Sequence, residues 1–200
     1  MAAKGDSLTP AEHRGLRELY AATRQLADHW GTLSERLGGE KGGELAKGAA
    51  SARALLDELG ELTARHGLHG FPAAQGVGGS LSGLRNRVTD PALERNQALR
   101  LAVLDVQHLG TLLPYLAELA RSRGDDELAG WHDVWQRRLQ RHERAARRTA
   151  AACGADPDAA VEPLVDSVAG RTAHGIANAI GTVGEWVDSK AARGARRKDG

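Results

Sequence analysis

Apolar positions recur along the first 37 residues at alternating steps of three and four: Leu16, Leu19, Thr23, Leu26, Trp30, Leu33 and Leu37. A mean spacing of about 3.5 is the seam of a helix lying nearly parallel to its neighbours in a bundle. Thr9-Pro10-Ala11-Glu12 supplies its start, a capping box with proline at the first helical position. Gly38-Gly39 is expected to end it. The same period returns in Leu45, Ala49, Ala52, Leu55/Leu56, Leu59 and Leu62, predicting a second helix over about 44–66 with Gly67 just past its end. Asp90-Pro91 opens a third, over about 91–122, with its seam at Ala98, Leu101/Ala102, Asp105/Val106, Leu109, Leu112/Leu113, Leu116 and Leu119. Pro114 inside it should kink it or end it early. After a short turn at 122–125, a fourth helix over about 125–152 carries Leu128, Trp131, Trp135, Arg138/Leu139, His142, Ala145 and Thr149.

Between the second and third helices, residues 67–90 are Gly-rich and nearly patternless, too long for an ordinary structureless loop. They read as a long crossover, with a short helix near 80–87. Two hairpins joined by a long link predict an all-α, ferritin-like four-helix bundle over 9–153, with an up-down-up-down bundle, which would not require so long a second connection, as the rival arrangement. Residues 1–8 are expected to be a disordered N-terminus. A further helical segment is expected over 154–188, where Val165, Val168, Thr172, Ile176, Ile180, Val183 and Val187 form a stripe. Beside it Ala169, Ala173, Ala177 and Gly181 make a smooth line that permits close helix approach, so 160–188 is the expected docking element for a protein partner. Residues 189–200, with five basic residues against one acidic, read as a disordered basic tail.

Composition narrows the function classes without choosing one. With 27 basic and 26 acidic residues the net charge is +1, which argues against a dedicated nucleic-acid protein. Cys153 is the sole cysteine, so no internal disulfide framework or Cys-based zinc cage can form within one chain. No apolar stretch reaches the length of a membrane span and no targeting segment is visible, so the expected location is the cytoplasm.

Candidate chemistry is sparse. Among the eight histidines, His13, His29, His66, His69 and His132 read as solvated or rim residues, their spacing unsuited to a shared ligand. His142 falls on the fourth seam, where a satisfied core polar group is the better reading than a metal ligand. Gly76-Val77-Gly78-Gly79-Ser80 lacks the lysine and the preceding strand of a phosphate loop. Cys153, at a helix C-terminus without a base, reads as non-catalytic. Arg137, Arg141, Arg144 and Arg148 share one helix face as a basic stripe, read as a solvated face or as a contact for an anionic partner.

The order of these pieces resembles the YciE/YciF-type stress proteins of the ferritin-like superfamily. Leu19-Tyr20-Ala21-Ala22-Thr23-Arg24-Gln25-Leu26 is similar to the family's LYDAEKQL, Leu109-Gly110-Thr111-Leu112 to its YGTL, and the turn at Gly124-Asp125-Asp126-Glu127 also agrees. The resemblance covers roughly residues 16–151 and implies a pair of metal ions held by inward Glu and His or Gln side chains. This chain departs from that pattern. Thr23, Ser51, Leu55 and Ala102 stand where ligands are implied, Asp105 keeps one acidic position, and Arg138 replaces an acid on the fourth helix. One carboxylate cannot neutralise two divalent ions. The resemblance therefore implies a degenerate, metal-free site, filled by an expected Asp105–Arg138 ion pair with Thr23, Ser51 or His142 nearby.

The leading expectation is a non-catalytic interaction or structural module without cofactor, stress-associated as the resemblance implies. A homodimer is the first partner to expect. One alternative is a metal-binding protein of the iron or manganese oxidase or storage type, with Asp105, His108, His142 and Glu143 as its only ligands. Another is a binder of anionic partners or nucleic acid through the Arg stripe and the tail.

Overall fold

The computed structural model describes residues 7–66 and 93–164. Four long helices dominate: α1 (Pro10–Leu37), α2 (Gly39–Arg65), α3 (Arg95–Arg123) and α4 (Asp126–Ala152). A 3-10 turn (Cys153–Ala155) and one helical turn, α5 (Pro157–Ala160), follow. No strand occurs among the described residues, so the fold is all-α. None of the described helices is long and apolar enough to cross a membrane.

The capping box forms as the sequence requires. The Thr9 hydroxyl accepts from Glu12 N–H at 3.3 Å, and the Glu12 carboxylate accepts from Thr9 N–H at 2.7 Å. Leu8, expected in a disordered N-terminus, is instead buried against the core; residues 1–6 lie outside the described part. α1 and α2 are separated by Gly38 alone, so α2 starts five residues before the expected position. Gly38 and Gly39 take positive φ values of 58° and 52°, which lets the chain reverse within one residue. The two backbones then run so close that a Cβ on Gly42 would lie 2.4 Å from the Ser34 carbonyl oxygen.

α3 begins at Arg95 rather than near Pro91, with Glu94 as its cap and the Gln97 side chain accepting from Glu94 N–H at 3.4 Å. Asp90 and Pro91 lie outside the described residues, as do Gly67, the crossover 67–90 and the stretch 76–80. Pro114 does not end α3, which continues nine residues further to Arg123. Gly124, in the left-handed region at φ 84°, closes α3, and Asp125 caps α4 by accepting from Leu128 N–H at 2.9 Å.

Helix directions follow from pairs in contact. Along α1 and α3, Trp30 meets Ala102, Gly15 meets Leu116 and Glu12 meets Arg123, so these helices are antiparallel. Glu58 with Trp131 and Ser51 with His142 make α2 and α4 antiparallel too. Each hairpin, α1–α2 and α3–α4, is antiparallel by its short turn. α2 therefore ends beside the start of α1, while α3 begins beside the end of α1. The two chain ends joined by residues 67–92 sit at opposite poles of the bundle, the connectivity of two hairpins with a crossover.

The core is the interior of this square of helices, led by Leu16, Leu19, Leu26, Trp30 and Leu33 from α1 and Leu45, Leu55 and Leu59 from α2. Leu99, Leu109, Leu113, Trp135 and Leu139 complete it from the second hairpin. After α4 the chain turns back onto the start of α3. Glu94 and Pro163 form an isolated antiparallel bridge, with Arg95 N–H donating to Glu162 C=O at 3.0 Å and Leu164 N–H to Leu93 C=O at 2.9 Å. Within the expected helical segment 154–188, residues 154–164 hold only the end of the 3-10 turn and the one turn of α5; residues 165–188 and the tail 189–200 lie outside the described part.

Candidate functional site

Three polar clusters lie between the helices, and none is the one the sequence suggested. The first joins α1 to α3. Asp105 faces Gln25 and His29: Gln25 Nε2 donates to its Oδ1 at 3.2 Å, and His29 Nδ1 donates to its Oδ2. The His29 and Asp105 side chains are 7% and 4% exposed, so this is a buried pair rather than a rim contact. A carboxylate only accepts, so the proton in this bond sits on Nδ1; His29 Nε2 is buried without a hydrogen-bond partner. Trp30, one position along, donates its indole N–H to Ala102 C=O at 2.9 Å.

The expected Asp105–Arg138 pair does not form. Asp105 lies on the face of α3 turned to α1, whereas Arg138 on α4 lays its guanidinium over the Trp135 ring, 4.6 Å from the ring centre. A half-buried arginine reaches past its own seam position and stacks on an aromatic face instead of entering the core. His29, expected to be solvated, is the residue that completes Asp105.

The second cluster joins α2 to α4. Ser51 Oγ and Nε2 of the half-buried His142 share a hydrogen bond at 2.8 Å. Burial, with Arg141 and Arg138 nearby, holds the His142 imidazole below its ordinary pKa. Further along this interface, the Trp131 and Trp135 indoles both donate to Glu58 Oε2 at 2.8 Å. Glu58 stands off the α2 seam, and nothing in the pattern singled it out.

The third cluster ties the start of α1 to the α3–α4 turn. Arg123 Nε donates to Glu12 Oε1 at 3.1 Å and Arg123 Nη2 to Asp125 Oδ2 at 2.8 Å. Burial alone would raise the Glu12 pKa, but hydrogen bonds from Thr9 and Arg123 hold it below the usual value. Nearby His132, expected on the rim, is 1% exposed and meets the Trp131 ring edge to face, 5.0 Å between centres. Burial pushes its pKa down to about 4, against the smaller opposing pull of Asp133, Glu12 and Asp125.

That shift has a measurable consequence. Folded His132 stays neutral to about pH 4, while the unfolded chain protonates it below about 6.5. Its contribution is complete above 6.5 and is lost as pH falls through that window, by about 3 kcal/mol at most. Urea titrations between pH 4 and 7 should show stability falling with pH, and His132→Leu should remove most of that slope. His142, shifted in the same direction, accounts for a remainder. An unchanged slope in the variant would refute the assignment.

The other sequence candidates are dispersed. His108 sits 3.1 Å from Glu18, and Glu143 accepts from Arg147 at 2.8 Å. With Asp105 and His108 at the α1–α3 seam and His142 and Glu143 on α4, the four residues proposed as metal ligands do not converge. Among the described residues no three His, Cys, Asp or Glu side chains gather closely enough to hold a metal ion. Thr23, Ser51, Leu55 and Ala102 are all buried; Thr23 Oγ1 has no hydrogen-bond partner. Cys153 is buried, its thiol donating to Thr149 C=O at 3.5 Å. An open groove of about 410 Å³ lies between the start of α2 and the end of α4, lined by Glu40, Lys41, Glu44, Ala145, Arg148, Thr149 and Ala152.

Fold and clusters together define an all-α four-helix bundle whose interior polar groups are engaged chiefly with one another. The chain matches no protein-family model, no curated protein and no solved structure.

Proposed function

We propose that this bundle is a non-catalytic, metal-free interaction or structural module. It is of the ferritin-like type that its sequence resembles, with the stress-associated cytoplasmic role that the resemblance implies. The observation that carries this reading is Asp105. The one carboxylate retained at the implied metal positions is engaged by His29 and Gln25, both from α1. Of the other implied positions, Leu55 and Ala102 belong to the apolar core, and Ser51 is bonded to His142. Binding a divalent ion there would require breaking these bonds and recruiting carboxylates from other parts of the bundle.

Metal analysis of the full-length protein, purified after growth with added iron and manganese, tests the reading. Expected is a metal content well below one ion per chain, unchanged in Asp105→Ala. Stoichiometric iron or manganese that disappears in Asp105→Ala would replace this proposal with the metal-binding one.

A further inference from the structure

The outer face of α4 is divided by charge. Glu127, Gly130, Val134, Arg137, Arg141, Arg144 and Arg148 project within about 100° of one another around the helix axis and are all exposed. The first third is acidic, with Asp126 beside Glu127, and the last third is basic. Among the described residues Arg137, Arg141 and Arg144 have no carboxylate partner, while Arg148 shares the groove with Glu44. Between the two halves Val134 is 54% exposed, a large apolar side chain where a solvated helix would carry a polar one. On the antiparallel neighbour α2, Asp57 and Glu61 add to the acidic end, where Glu58 is bonded to Trp131, while Glu40, Lys41, Glu44 and Lys47 balance one another beside the basic end.

We infer that this α2–α4 face is where two copies of the chain pair about a two-fold axis. A face that is acidic at one end and basic at the other complements itself when turned by 180°. With the axis between positions 135 and 136, Arg144 meets Glu127 of the second copy and Arg141 meets Gly130, where the absent side chain admits close approach. Arg137 meets Val134 in the same register. Both ends are satisfied at once. A nucleic acid laid along the same face would meet the basic half and be repelled by Glu127, Asp126, Asp57 and Glu61. Two helices about 10 Å apart over about 30 Å offer roughly 600 Å² per copy, the lower range of specific interfaces. The dimer is accordingly weak and salt-sensitive.

This inference rests on the reading of the chain as an interaction module, and metal content, which decides that reading, is indifferent to it. Sedimentation of the full chain tests it. The wild type should be dimeric at about 50 mM salt and dissociate toward monomer at about 500 mM. Arg144→Glu and Glu127→Arg should each raise the dimer Kd about tenfold or more while helical circular dichroism stays unchanged. An equimolar mixture of the two variants should recover the dimer, because both contact pairs are again of opposite charge. Arg144→Gln gives a milder variant should reversal disturb the helix. A wild type that is monomeric at both salts, a dimer indifferent to both reversals, or a mixture that fails to recover would each overturn the inference. So would a monomer that binds duplex DNA and loses it in Arg144→Glu, which would assign the face to a polyanion.

Discussion

Gly48→Ala should destabilise the bundle by about 3 kcal/mol, although helix propensity alone predicts a gain of about 1 kcal/mol for the same change. Gly48 lies inside α2, and a Cβ there would stand 2.2 Å from Trp30 Cζ3 and 2.3 Å from Cε3. Carbon atoms settle about 3.5 Å apart or more, so the indole would have to move by about 1 Å. It has nowhere to go. Trp30 is 1% exposed, and its N–H is spent on the Ala102 carbonyl, so displacement costs both packing and a buried hydrogen bond. Gly60→Ala is the matched control. It lies in the same helix with nothing within 4 Å of the added methyl, and should gain up to about 1 kcal/mol. Urea denaturation of the two variants decides the matter: a Gly48→Ala protein as stable as Gly60→Ala would mean that Trp30 does not pack on α2 as described.

Parts of the fold were legible in the sequence and others were not. The leucine seams were readable because burial at 3.5-residue spacing is a property of the local sequence. All of Leu45, Ala49, Ala52, Leu55, Leu59 and Leu62 are buried as that spacing predicts. The start of α2 was not readable. Gly38-Gly39-Glu40-Lys41-Gly42-Gly43 has the composition of a loop, yet it is helical from Gly39 because α1 and α2 cross at Ser34 and Gly42 within contact distance. There tertiary packing overrides propensity. The bridge between Glu94 and Pro163 joins residues far apart in sequence and leaves no periodic trace. Arg138 falls on its seam by spacing, but a long side chain need not follow its Cβ inward, and stacking on Trp135 serves it better.

The polar clusters were legible by half. His142 lies on the α4 seam and Ser51 one step from Ala52 of the α2 seam, and their bond needs only the helix register. Gln25 and His29 flank the α1 seam, each one step from Leu26 and Trp30. In a square bundle each helix packs on two neighbours, so the buried stripe is wider than a single seam and its flanks are not solvent. Polar residues four apart on such a flank, opposite a lone acidic residue in another seam, are the available signal. The seam pattern alone directed Asp105 toward α4, whereas the flank faces it toward α1.

His29→Leu should therefore be among the most damaging substitutions in the molecule, costing about 3–5 kcal/mol. It removes the imidazole that donates to Asp105 Oδ2 and leaves a buried carboxylate with Gln25 as its one remaining donor in this cluster. Much of the loss is the penalty of stranding Asp105 rather than the worth of the pair itself. The double variant His29→Leu/Asp105→Leu separates the two contributions. With neither charge nor unpaired acceptor left, it should recover most of the stability lost by the single change, because two apolar side chains can occupy the α1–α3 seam beside Val106 and Leu109. Thermal or urea unfolding of wild type, both single variants and the double gives the coupling directly. If the double variant were destabilised by the sum of the two singles, His29 and Asp105 would be acting independently and their buried pairing would be wrong. If it recovers, the lone carboxylate kept at an implied metal position owes its retention in the folded core to a histidine from the neighbouring helix.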